Sequence, residues 1–231
     1  MKRSLDNNLL MKNLNHIDLT FLITIISFLF IGIVIYDDYG ISWDEYWHRI
    51  NGFVSLNAIR EIFSLDIIYP DLVHSTKSFA ETAKIYGVTF DLPMAFIEKE
   101  FAIEDPKRYF LLRHLFNFLI FFISCVFFYL LLKRRFSKNL SMLGLLFLIL
   151  SPRIFAESFY NNKDIICLSV TIIFLFFSIR FFENKSYSNA FFFGIFSALA
   201  LVIRIPAIIY IFATYLMFFL QSMDDKNFIS T

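Results

Sequence analysis

Residues 109–132 read YFLLRHLFNFLIFFISCVFFYLLL, and this stretch decides the class of protein. At about 1.5 Å per residue a helix over it reaches roughly 36 Å, more than the ~30 Å hydrocarbon core of a bilayer. Its charges, Arg113 and His114, stand near its start. The whole chain agrees. Of its 231 residues 58% are hydrophobic and 33 are Phe, at a mean hydropathy of +0.65, far beyond what one water-soluble core can hide.

Other apolar runs flank this one. Residues 164–182 also have span length. Residues 19–36 follow a basic start (Lys2, Arg3, Lys12) and end in Ile-Val-Ile-Tyr-Asp-Asp with no small-residue cleavage pattern, so the run reads as a retained anchor rather than a signal peptide. The run 140–151 is short and reaches span length only when extended to about 138–154. Residues 187–222 would be roughly 55 Å long as one helix, too long for a single crossing. Two helices, 187–203 and 206–222, are the preferred reading. Their break falls at Arg204-Ile205-Pro206, where a charge and a proline together disfavour lipid-facing helix. A single kinked helix is the alternative, with the C-terminus on the other side. The expectation is an all-α integral membrane protein of about six transmembrane helices over residues 1–222, with a polar tail at 223–231 where the chain looks truncated.

Lys133, Arg134, Arg135 and Lys138 between the second and third spans, and Arg180 and Lys185 at the end of the fourth, mark the cytoplasmic side. The external segments are then 37–108, about 152–163, and the turn near 205. The first carries thirteen acids against seven bases. The net charge of +1 gives no footing for nucleic-acid binding, and Cys125 and Cys167 fall inside spans, as small buried apolar residues do.

The external loop is patterned rather than structureless. Ser42 with Glu45 three residues on reads as a helix start, after which Trp43, Trp47, Ile50, Val54, Ala58 and Ile62 recur at helical spacing. This predicts an amphipathic helix along the outer membrane interface, with Asp44, His48, Asn51 and Ser55 on an adjacent polar face. A second helix is expected over about 92–101. Asp44 and Glu45, between two tryptophans at headgroup depth, are placed where a carboxylate is partly desolvated and suits a general base. Other polar groups gather on the same side: Arg113 and His114 opening the second span, Arg153, Glu157, Asn161, Asn162, Lys163 and Asp164 in the second external loop, and Arg204 at the outer end of the fifth span. Ionisable groups at membrane depth are costly and mark sites. Here they outline a polar, outward-facing cavity where arginines hold a phosphate and carboxylates move a proton.

With these residues in view, the chain resembles the N-terminal half of the GT-C class of membrane glycosyltransferases, near the protein O-mannosyltransferase branch (glycosyltransferase family 39). The resemblance lies in Ser42-Trp43-Asp44-Glu45-Tyr46-Trp47-His48 after the first span, Arg113 opening the second, Ser151 to Asp164 as second external loop, and Ala-Leu-Val-Ile-Arg204-Ile-Pro206. It implies transfer of a sugar from a polyprenyl-phosphate donor to a hydroxyl on the non-cytoplasmic side, with the localisation expected to be a bacterial inner membrane with its active face periplasmic. Asp44 and Glu45 would be the catalytic pair, with Asp44 deprotonating the acceptor. Arg113, His114, Arg153, Glu157, Asp164 and Arg204 would bind substrate, Arg113 and Arg204 at the donor phosphate. Family members usually continue through further spans, so a second chain supplying the C-terminal half is an expected partner, besides membrane lipid. No cofactor is firmly indicated, although Asp44 and His48, one helical turn apart, leave a divalent cation open. The rival reading is a non-catalytic assembly or binding subunit. A transporter fits less well, because the acids cluster outside the spans.

Overall fold

The computed structural model describes residues 18–69 and 87–229, with side chains described to residue 223. The basic start (Lys2, Arg3, Lys12), and Asp71, Lys77, Glu81 and Lys84 of the long loop, lie outside the described residues. Among those described the chain is all helical: α1 (Leu19–Ile35), α2 (Glu45–Ile62), α3 (Asp91–Glu100), α4 (Pro106–Lys133), α5 (Lys138–Ile149), α6 (Pro152–Tyr160), α7 (Asp164–Glu183), α8 (Tyr187–Ile203), a 3-10 turn (Ile205–Ala207) and α9 (Ile208–Ile229).

The 28-residue α4 is the central post. Asp105 caps it, accepting from the Lys107 amide at 3.0 Å, and Pro106 fills the first turn, where its missing N–H costs nothing. Helix α1 runs antiparallel along it. Phe21 stacks on Tyr129 with centroids 4.0 Å apart, Phe28 lies against Phe118 and Phe121, and Gly32 meets the Phe118 ring so closely that any Cβ would overlap it. Helix α7 runs parallel to α4, with Phe127 against Phe176 at 5.0 Å. Between them, α5 and α6 are bent by 60°. Pro152 opens α6 and leaves Ser151 extended, which stops α5 at Ile149. Phe155 and Phe159 of α6 then join Phe28 and Phe118 in one aromatic core.

Helix α8 ends at Ile203, Arg204 is extended, and the 3-10 turn reverses the chain. Helix α9 then folds back, so that Tyr215 meets Phe193 of α8 and Phe218 meets Phe181 of α7. Successive long elements thus run up and down between two ends. One is basic, where Lys138 reaches Asp18 over 2.7 Å and Arg134 pairs with Glu183. The other is polar and carries α2 and α3.

Three helices, α4, α7 and the stretch Ile205–Met223, are long and apolar enough to cross a membrane, and α5 with α6 make a fourth if the bent pair counts as one span. Helices α1 and α8 have 17 residues each, about 25 Å of rise, short of a full hydrocarbon core. Three or four crossings, rather than the expected six, therefore stand on length alone. Exposed Leu19, Phe30, Phe147, Ile209 and Phe212 leave apolar surface on the outside of the bundle, as lipid-facing helices do.

Helices α2 and α3 differ from expectation in detail. Helix α2 begins at Glu45, not just after Ser42, yet the Glu45 carboxylate accepts the Ser42 amide at 2.6 Å, which is half of the expected capping box. Its buried side is Ile50, Phe53 and Leu56, while Trp43 and Ile62 are 89% and 77% exposed. Gly52 sets where α3 packs, since a Cβ there would overlap the Asp91 backbone oxygen, and of the predicted stripe Ile50 is buried while Trp43 and Ile62 stay outside that contact.

Candidate functional site

The polar end is built from five segments: the start of α2, the start of α3, the first turns of α4, the link between α6 and α7, and the end of α8. Fixed spacing on α4 places Arg113, His114 and Asn117 within about one helical turn, and all three are buried. Each has a different partner. His114 Nε2 lies 2.8 Å from Glu45 Oε1 of α2, with both side chains 2% exposed or less. Arg113 donates from Nη2 to Asp91 Oδ1 of α3 at 2.5 Å, leaving Nε and Nη1 without a hydrogen-bond partner. Asn117 donates to the Ser158 carbonyl at 3.0 Å and so holds the end of α6.

Asp91 gathers more than Arg113. Asn162 donates to its Oδ1 at 3.2 Å, and His48 Nδ1 lies 3.8 Å from its Oδ2. Burial pushes the Asp91 carboxyl up, against the opposing pull of the Arg113 guanidinium. Burial also pushes His48 down to about 3, helped by Lys163, Arg113 and Arg204, so its imidazole is neutral at ordinary pH. The Lys163 amine is pushed down to about 8 by burial and Arg204, while Asp91, Asp44 and Asp164 pull it back up.

A second, more open chain lies outside this layer. Arg153 donates to Glu157 at 2.8 Å, Asn161 donates to both Glu157 (3.3 Å) and Asp164 (3.2 Å), and Arg204 pairs with Asp164. The Asn161 side chain also accepts the Asp164 amide at 2.9 Å and so fixes the start of α7. Arg153, Arg204 and Asp164 side chains are 85%, 37% and 53% exposed, and open to a ligand, whereas that of Arg113 is 2% exposed.

The structure therefore brings Glu45, Arg113 and His114 into one buried layer and Arg153, Glu157, Asp164 and Arg204 into a solvent-facing chain. Asp44 is exposed at the start of α2, with its field acting on Lys163. His48 turns to Asp91, and among the described residues no three of His, Cys, Asp and Glu come together as metal ligands would. Sequence reasoning missed Asp91, which there is simply an acid in the first turn of a short helix, and the Arg49–Glu98 pair. Arg49 Nε donates to both Glu98 oxygens at 2.9 and 3.1 Å while its guanidinium sits 3.9 Å from the Tyr109 ring centre. Asn117 did carry a signal, as a third polar group at helical spacing within an apolar span.

Chemically, the arrangement offers exposed carboxylates in Asp44 and Asp164, accessible cations within the same polar end, and a buried layer that holds the supporting helices together. That is what acid–base work on an anionic substrate needs. No curated protein and no solved structure matches this chain. Residues 111–230, just over half of it, match the family described as dolichyl-phosphate-mannose-protein mannosyltransferase. The matched stretch holds Arg113, His114, Arg153, Glu157, Asp164 and Arg204, and begins after Asp44, Glu45 and Asp91. By that match the chain belongs to the dolichyl-phosphate-mannose-protein mannosyltransferase family.

Proposed function

We propose that this chain transfers a sugar from a polyprenyl-phosphate donor to a hydroxyl acceptor at the non-cytoplasmic membrane surface, with the polar end as its reacting face. The family match over residues 111–230 carries this reading. In it α1, α4, α5–α6, α7, α8 and α9 make six crossings, the shorter α1 and α8 being accommodated by local bilayer thinning. The basic end faces the cytoplasm, in line with its Lys and Arg residues.

In the reaction, Asp44 takes the proton of the acceptor hydroxyl. The freed oxygen attacks the anomeric carbon from the side opposite the lipid phosphate, and the polyprenyl phosphate leaves with the electrons of the broken C–O bond. Arg204 and Arg153, both exposed, stabilise charge on that phosphate, and Asp164 and Glu157 keep these arginines in place. Glu45, tied to His114, anchors the first turn of α2 and so the position of Asp44.

The test is transfer of labelled mannose from a polyprenyl-phosphate donor in membranes holding this chain, alone and with a companion chain carrying further spans of the family. Transfer that falls about 10²- to 10⁴-fold in Asp44→Asn is the expected result. Transfer indifferent to Asp44→Asn, with loss instead on changing Trp43 or Trp47, would favour an assembly subunit.

A further inference from the structure

Four elements meet at the Asp91 side chain. It starts α3, receives Arg113 from α4 and Asn162 from the α6–α7 link on one oxygen, and turns the other toward His48 of α2. It is 2% exposed, and Arg113 makes its hydrogen bond to this carboxylate alone. Both neighbours of this junction in the chain belong to the reacting face: Asn162 is two residues from Asp164, and His48 is one helical turn from Asp44.

We infer that Asp91 is a positioning residue for glycosyl transfer, seating the first turn of α2, which carries the base Asp44, beside the link that carries Asp164. The inference rests on the proposed function, and it gives Arg113 a different part from phosphate binding. With its side chain 2% exposed and its charge met by Asp91, Arg113 works on the α3 side of the junction, while Arg204 and Arg153 face the donor. Breadth of contact distinguishes this junction from an ordinary buried ion pair. Arg49–Glu98 joins α2 to α3 over the Tyr109 ring of α4, whereas Asp91 reaches toward both segments that carry the reacting carboxylates. A displacement of about 1 Å between reacting groups is enough to cost about 100-fold in rate, so a shared anchor at that junction acts on rate more than on binding.

The experiment compares wild type, Asp91→Asn, and Asp91→Asn with Arg113→Gln in detergent micelles. Asparagine keeps the size and one acceptor for Arg113 and Asn162 and removes the charge. Expected is a 10- to 100-fold fall in kcat per folded molecule for Asp91→Asn, with KM for the donor little changed, alongside a lower melting temperature from the arginine left buried without a countercharge. The double variant, which no longer buries an unpaired arginine, should regain any lost stability without regaining kcat. A purely structural Asp91 would show the reverse, with kcat per folded molecule unchanged throughout, and that result overturns the inference. A second readout needs no sugar transfer. Trp43 and Trp47 are the only tryptophans, so in a Trp43→Phe background acrylamide quenching reports on Trp47, next to His48. Quenching should rise in Asp91→Asn as the first turn of α2 loosens, and unchanged quenching also counts against the inference. Should wild type transfer no sugar at all, the quenching arm still decides the positioning role, and the failure falls on the glycosyltransferase reading alone.

Discussion

At the basic end of the bundle Lys138 meets Asp18 over 2.7 Å with 56% of the lysine side chain exposed, and Glu183, paired with Arg134, is 44% exposed. At the polar end Arg49, Arg113 and His114 meet Glu98, Asp91 and Glu45 with every side chain between 1% and 11% exposed. The two ends use the same residue types and pay unequal desolvation for them. Exposed pairs are worth about 0–1 kcal/mol, while each ion of a buried pair gives up several kcal/mol of hydration that its partner only returns when the geometry is good. Buried pairs are therefore a poor way to stabilise a fold. Two of them, with the His114–Glu45 hydrogen bond, around α2, α3 and α4 fit an end whose side chains must stay in one arrangement, whereas at the basic end each buried partner, Asp18 or Arg134, meets one that reaches water.

The largest effect should come from opening one buried pair on one side. Arg49→Met leaves Glu98 buried with no countercharge and should cost about 3–5 kcal/mol in denaturant unfolding of the micelle-held protein, read by circular dichroism. Adding Glu98→Leu should recover most of that loss, since Phe53, Tyr109 and Tyr69 already surround the pair with apolar surface. A double variant as unstable as the single one would mean that the pair stabilises in its own right, and the contrast between the ends would lose its physical basis.

A smaller effect separates the ends by pH. His48 is held down to about 3 by burial, and by Lys163, Arg113 and Arg204, against an unfolded value of 6.5. Between those values the unfolded chain binds the proton and the folded one does not, so the contribution of His48 to stability falls as pH falls from about 6.5 toward 3. Asp91 works the other way, because burial raises its carboxyl and acid relieves that cost. The difference between wild type and His48→Gln isolates the histidine. Thermal unfolding from pH 7 to 4 should show wild type losing more stability than the variant, and parallel curves would remove His48 from the buried layer.

The sequence made the polar end visible where spacing is local. Arg113 and His114 stand out in an apolar helix, Asp164 follows Asn161 by three residues and is bound by it, and the charge and proline at Arg204–Pro206 coincide with the reversal between α8 and α9. What it hid depends on contacts far apart in the chain. Asp91 lies 22 residues from Arg113 and 71 from Asn162, and Glu98 lies 49 from Arg49, so no helical period links them. The seat of α3 on α2 was hidden for the same reason, because the absent side chain of Gly52 decides which side α3 can approach. Length was legible for α4 and α7 and less so for α5 and α6, where Pro152 turns one expected span into a bent pair.

The smallest expected effect tests the basic end itself. Lys138→Gln removes the partner of Asp18 but leaves that carboxylate its role at the start of α1, where it accepts the Thr20 amide at 3.2 Å. With the lysine more than half exposed, the cost should stay within about 1 kcal/mol, and screening by salt should shrink it further. Sugar transfer should be unchanged, because Lys138 stands at the far end of α5 from the polar site. If this variant instead lost as much stability as Arg49→Met, Asp18 would behave as a truly buried charge despite the exposure of its partner. The difference between the ends would then lie in which side chains touch the reacting groups, and burial would no longer distinguish them.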